Sequence, residues 1–264
     1  MKGKRKHDRP SVSVCRWVAF EKMNRKILLA IGLIIAVAIF LKYGRSVYMP
    51  VINKMKGNET VESRISSIQG EVWNRLEYNL NLAGYKMDYP NEIILVAFKE
   101  ERVLQVYSKD YNGIKLIKEY PFTAFSGELG PKLKEGDKQI PEGIYKVEYL
   151  NPNSSFYLSI KVSYPNEFDK SKTELSNIAD MGGDIFIHGK SATIGCIPIG
   201  DEAIEEVFLL TQKAINNGVK VIISPRDFRT NSEYPKIEDI DWENELYDKI
   251  RNEIKTLPNN TYAQ

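Results

Sequence analysis

Between residues 92 and 188 the chain repeats one pattern six times: a run rich in β-branched and aromatic residues, then a polar turn or loop. The runs are EIILVAF (92–98), RVLQVYS (102–108), IKLIKEYPFTAF (114–125), GIYKVEYL (143–150), FYLSIKVSY (156–164) and DIFIH (184–188). Between them lie KEE, KDYNG, GPKLKEGDKQIPE and NPNSS. Side chains branched at Cβ pack well on a pleated surface, while Gly, Pro, Asn and Asp favour turns. The pattern predicts a mostly antiparallel β domain, and a chain of 264 residues that is 42% hydrophobic can fill its core.

Helices flank that block. Val61, Ile65, Ile68, Val72, Leu76 and Leu80 recur at steps of three and four, with Gly84 placed as a C-cap. This is a packing helix or a stalk. DEAIEEVFLLTQKAINNG (201–218) opens on Asp201, Glu202, Glu205 and Glu206 and closes on Lys213 and Gly218, which suits the helix dipole at both ends. VKVIISP (219–225) supplies one more strand, and a last helix is predicted over 241–257, with Trp242, Leu246, Ile250 and Ile254 on one face. The expected fold class is therefore mainly β with flanking helices.

Residues 27–41, ILLAIGLIIAVAIFL, are fifteen consecutive apolar residues bounded by Arg25 and Lys26 on one side and Lys42, Tyr43 and Arg45 on the other. A bilayer span needs about 20 residues, and the run reaches that length once flanking Lys and Arg stems snorkel and Tyr43 sits at the interface. A cleaved signal peptide is the main rival, but KYGRSVYMP offers no small-x-small cleavage site. An N-terminal transmembrane helix is expected, meeting the lipid bilayer through residues 27–43. Residues 1–26 carry nine Lys or Arg against Asp8 and Glu21, so the positive-inside rule leaves them in the cytoplasm and exports everything beyond about residue 45. The rest of the chain is mildly acidic, which argues against a nucleic-acid partner. The resulting organisation is a basic leader (1–26), an anchor (27–45), a stalk or packing helix (46–90), a catalytic domain (91–230) and a C-terminal helical extension (231–264).

This topology separates the two cysteines, Cys15 inside and Cys196 outside, so they cannot pair. The exported part then holds a single histidine, His188, and a single cysteine, Cys196, both within DIFIHGKSATIGCIPIG (184–200). A nucleophilic cysteine needs a thiolate, which an adjacent imidazole or a helix N-terminus supplies. His188 ends a strand and Cys196 precedes a helix, so both devices are expected. Gly195 permits a tight turn, making the backbone N–H groups of Gly195 and Cys196 candidates for an oxyanion hole, with the Thr193 hydroxyl as helper. Two ordinary core residues are the alternative. A zinc site needs three or more ligands, and the stretch supplies two.

The segment HGKSATIGC resembles the His-Gly, then Ser/Thr-x-Gly-Cys signature of the L,D-transpeptidase (YkuD-like) catalytic domain. GELGPKLKEGDKQIPEGIYKV and NPNSSFYLSIKVSYPNEFD resemble segments of the family's murein branch, of YafK type, and the similarity covers roughly residues 92–226. The resemblance implies an L,D-transpeptidase-like β-sandwich and a two-step acyl transfer on peptidoglycan stem peptides, donor and amine acceptor, without cofactor or metal. Cys196 would be the nucleophile and His188 the base, with the Gly189 carbonyl, or another group at that turn, holding the imidazole tautomer. L,D-carboxypeptidase or amidase activity, and an inert wall-binding scaffold, are the alternatives. The catalytic domain would lie in the periplasm or outside the cell. Many members carry a histidine before the Gly-Cys and an arginine two positions after the cysteine; here Ile194 and Pro198 stand there. Arg226 or Arg229 could take over the contact to a substrate carboxylate, solvated surface arginines being the alternative, and Tyr164 is a further expected substrate-binding residue.

Overall fold

The structure, a computed structural model, describes residues 25–172, 178–238 and 240–258. Most of the expected basic leader, Cys15 included, and the last residues of the C-terminal extension lie outside them. The chain divides into two units, residues 1–48 and 49–264. In the first, α1 (Arg25–Tyr43) carries the apolar run, and α2 (Arg45–Lys56) begins after Gly44. Among the described residues no helix is long and apolar enough to cross a membrane.

The second unit is built on eight strands: β1 (Ile93–Phe98), β2 (Val103–Asp110), β3 (Gly113–Pro121), β4 (Gly143–Ser154), β5 (Tyr157–Val162), β6 (Phe186–His188), β7 (Ile197–Pro198) and β8 (Lys220–Ser224). Their order is β3-β2-β1-β8-β4-β5-β6-β7, and every pairing is antiparallel except β1 with β8 and β6 with β7. The eight strands form one continuous sheet that passes from one half to the other along β4. Gly143–Lys146 pair with β8, and Val147 onward pairs with β5. Two irregularities, between Val147 and Tyr149 and between Asn151 and Ser154, bend β4 between its partners. NPNSS, expected as a loop, belongs largely to this strand, and Pro152 is tolerated there because it falls at the second irregularity.

Helices cover the sheet. In α3 (Val61–Ala83) Thr60 accepts from the Ser63 N–H, and Gly84, at φ 97°, ends the helix by donating to the Leu80 and Asn81 carbonyls. Ile65, Ile68, Val72, Leu76 and Leu80 are all buried. With α5 (Asp201–Ala214) they enclose the main core against Leu95, Ala97, Leu104, Val106, Ile160, Ile187 and Ile197. Each fully buried side chain of this size contributes about 1.5–3 kcal/mol. The other face of β1 and β8 presents Ile94, Val96, Phe98 and Ile222 to Leu246, Tyr247, Ile250 and Ile254 of α6 (Glu243–Ile254). The short α4 (Glu167–Ser171), closed by an Asn166–Asp169 capping box, follows β5.

Candidate active site

Alternation along β5 to β7 sorts side chains between two environments. Leu158, Ile160, Val162, Ile187 and Ile197 enter the main core. Ser159 and Lys161 of β5, with Phe186 and His188 of β6, share the opposite face, because Ser159 pairs with His188 and Lys161 with Phe186. In the parallel β6–β7 pair Ile187 faces Ile197 and His188 faces Pro198. Carried back one residue, that register sets Cys196 beside Phe186 and on the same face as His188. The sheet thus brings together the histidine and the cysteine, eight positions apart in sequence.

His188 is 2% exposed. Its Nδ1 lies 2.5 Å from the Gly189 carbonyl oxygen. Donation from Nδ1–H to that oxygen leaves the Nε2 lone pair as the basic site. The Phe156 ring lies 4.7 Å from the imidazole, centroid to centroid. Burial pushes the imidazole below its ordinary pKa, against the opposing pull of the Gly189 contact. Gly189 leaves no room for a side chain: a Cβ there would stand 2.7 Å from Asp201 Oδ1 and 2.8 Å from the Phe156 carbonyl oxygen. The loop beyond it is pinned by Asp201, which accepts from the Lys190 N–H (3.0 Å) and pairs with the Lys190 ammonium.

Cys196 is half-buried, and its thiol donates to the Asp184 carbonyl oxygen at 3.4 Å. Burial pushes the thiol up; a hydrogen bond from the Phe186 backbone and the charges of Lys161 and Lys132 pull it down, and the Asp184 carboxylate raises it further. Among the described residues no hydrogen bond joins Sγ to the imidazole. The helix that follows the cysteine starts at Asp201, as expected, after β7 and the Gly200 cap.

Thr193 organises the turn before the cysteine. Its hydroxyl donates to the Cys196 carbonyl oxygen (2.7 Å) and accepts the N–H groups of Cys196 (2.9 Å) and Gly195 (3.2 Å). The two N–H groups expected to await an oxyanion therefore converge on one oxygen, that of Thr193. Gly195 sits at φ 124°, and a Cβ there would lie 2.9 Å from the Gln139 carbonyl oxygen.

The three expected substrate contacts each have partners within the protein. Tyr164 is 3% exposed, and its hydroxyl donates to the Lys132 carbonyl oxygen. Arg226, beyond β8 and three strands from β6, pairs with Glu100 (3.1 Å). Arg229 is closed into contacts with Asp227, Tyr107, Gln105 and the Pro258 carbonyl. A polar side chain near a predicted strand end shows its type in the sequence, but its neighbours depend on strand order. Lys161, Lys132 and Asp184 went unnoticed as the charges around Cys196. The alternation of Ser159 and Lys161 with Leu158, Ile160 and Val162 is the signal that marks a polar face on that strand. An open groove of about 700 Å³, lined by Lys118, Thr123, Lys190, Asp201, Glu202 and Glu206 among others, runs beside the 189–200 loop. Among the described residues no group of three His, Cys, Asp or Glu side chains is set to hold a metal ion.

YafK of Escherichia coli, in strain K12 and in strain O157:H7, is 33% identical over 154 residues, 56% of this chain and 58% of the relative, so the chain matches little more than half the length of these curated relatives. Similar solved structures include the helical cell shape determining protein Pgp2 from Campylobacter jejuni (20% identity, 64% of this chain and 71% of that chain, TM-score 0.43). Another is Bd1075 of Bdellovibrio bacteriovorus (21% identity, 63% and 55%, TM-score 0.38). The family description "YkuD: L,D-transpeptidase catalytic domain" matches residues 91–223, half of the sequence and the part that holds His188 and Cys196, and the chain belongs to that family.

Proposed function

We propose that this protein is a cysteine L,D-transpeptidase that acts on peptidoglycan stem peptides through a thioester. The observation that carries the reading is the placement of His188 and Cys196 on one sheet face, with Nδ1 engaged by Gly189 and Nε2 left as the base. Sγ attacks the carbonyl carbon of the third stem residue while its proton passes to Nε2. Collapse of the tetrahedral intermediate breaks the C–N bond to the terminal D-amino acid, whose nitrogen takes the proton from the imidazolium. An acceptor amine then attacks the thioester, returns its proton through His188 and releases the thiol. The carbonyl oxygen, as it becomes an oxyanion, displaces the Thr193 hydroxyl from the Gly195 and Cys196 N–H groups, which already converge.

Residues 27–43 anchor the enzyme as a single pass in the cytoplasmic membrane, with the catalytic domain outside the cytoplasm. Leu29, Leu33 and Ile34 of α1 are each about two-thirds exposed, an apolar surface that a bilayer would cover. Carbonate washing of membranes is expected to leave the protein in the pellet, and its release would refute the anchor.

The test of the chemistry uses the full-length protein in detergent with purified tetrapeptide muropeptides, with and without an acceptor amine, and product mass spectrometry. The wild type is expected to form cross-linked product and a covalent carbapenem adduct on Cys196, and Cys196→Ala to reduce both to background. Tripeptide alone, with acceptor present, would identify a carboxypeptidase instead, and undiminished turnover by Cys196→Ala would end the proposal.

A further inference from the structure

The imidazole turns positive once it holds the thiol proton, and a second source of positive charge near the nucleophile would add to it. Lys161 is such a source. It lies on β5, is 8% exposed, and pairs across the sheet with Phe186, whose ring centroid is 5.0 Å from its Nζ. The next residue along that cross-strand row is Cys196. The ammonium and the thiol also grip the same short segment. Nζ bonds the Gly183 carbonyl oxygen and lies 3.3 Å from Asp184 Oδ1, while Sγ bonds the Asp184 carbonyl oxygen.

Lysines are seldom buried without a tightly held counterion. Here the counterion is loose. The Asp184 side chain is 95% exposed, so water screens its carboxylate more effectively than it screens the ammonium beneath. Lys132, the other cation near the sulfur, has its charge balanced by Asp137 Oδ1 at 2.6 Å, a partner largely shielded from solvent. The groups facing Cys196 are thus Lys161 from β5, Phe186 and His188 from β6, Asp184 from the segment before it, and the Lys132–Asp137 pair from the loop ahead of β4.

We propose that Lys161 is a positioning residue for the nucleophile: its ammonium, anchored on the Gly183–Asp184 segment that also holds the thiol, supplies the positive charge that stabilises the Cys196 thiolate, and the Asp184 carboxylate opposes it. This rests on Cys196 being the nucleophile of the proposed reaction. The directions in which the two side chains move the thiol agree with it.

The experiment reads thiol ionisation without any muropeptide. Alkylation of Cys196 by iodoacetamide is followed from pH 6 to 10 on the full-length protein in detergent, with Cys15→Ser as background, for Lys161→Met, Lys161→Arg, Asp184→Asn and His188→Gln. Lys161→Met is expected to raise the midpoint by about one pH unit, a tenfold slower reaction below it. Lys161→Arg should restore most of the rate, and Asp184→Asn should shift the midpoint the other way. A loss of packing alone would not produce shifts of opposite sign. An unmoved midpoint in Lys161→Met, or both charge variants moving together, overturns the proposal. If Lys161→Met does not fold, as its thermal unfolding would reveal, Asp184→Asn decides: a lowered midpoint supports the proposal and an unmoved or raised one refutes it. Opposite shifts in a protein without transpeptidase activity would leave this assignment intact while refuting the reaction.

Discussion

Burial acts on the two reacting groups in opposite senses, lowering the imidazole and raising the thiol, so the uncharged pair dominates near neutral pH. A neutral imidazole is the form that accepts the thiol proton. Because its pKa is depressed, the acid limb of kcat/KM is expected to have its midpoint below about 6.5, the ordinary imidazole value. His188→Gln should abolish that limb and lower kcat by about 10²–10⁴-fold. A midpoint above the ordinary value would instead indicate a resting ion pair. Gly195→Ala forces a side chain into the left-handed region and against the Gln139 carbonyl. A loss of about 1–3 kcal/mol in denaturant unfolding is expected, together with reduced alkylation of Cys196 as the turn shifts. The identities of His188, Gly189, Thr193, Gly195 and Cys196 were legible because they lie within a few turns of one another in sequence. The role of Thr193 was not, since a hydroxyl reveals its bonding partners only once the loop has closed on itself.

At the level of elements, α3 is part of the fold rather than a spacer. Its apolar stripe fills the main core, and Arg75 ties it to α5 through Glu205 Oε2 (2.7 Å) and Glu206 Oε1 (2.9 Å). Glu206 also accepts from Lys118 and Tyr120, so one buried carboxylate joins α3, β3 and α5. Leu76→Ala should therefore cost about 2–5 kcal/mol in equilibrium denaturation, the range for a buried leucine; a change below about 1 kcal/mol would mean that α3 is peripheral. The long periodic helices and the six β-rich runs were readable from pattern, with ends displaced by a few residues. The two-residue β7 and the five-residue α4 were not, because neither completes enough of a period to be distinguished from loop.

Across the whole molecule, the pair with the greatest structural reach is Lys99 with Glu142, 2.8 Å apart and both side chains wholly buried. Lys99 Nζ also donates to the Gly130 and Ile140 carbonyls, and Glu142 accepts from the Gly130 N–H and the Tyr247 hydroxyl. The pair thus joins the end of β1, the loop ahead of β4 and α6. The same loop presents the Gln139 carbonyl to Gly195. Glu142→Gln leaves an uncompensated buried ammonium and is expected to cost about 3–5 kcal/mol by denaturant unfolding, with Lys99→Met/Glu142→Leu recovering most of it. If the double variant is no more stable than the single one, the polar network rather than the charge balance is what holds α6. By itself the sequence determined the mainly β character, the flanking helices and the family signature in the His-Gly…Gly-Cys segment, because periodicity and turn residues act over a few neighbours and side-chain types are intrinsic. Only the tertiary structure decided that the sheet is continuous through β4, that Lys161 stands in the same cross-strand row as the cysteine, and that the C-terminal helix closes a second core. Those outcomes depend on strand order and on burial, which arise from contacts between residues tens of positions apart.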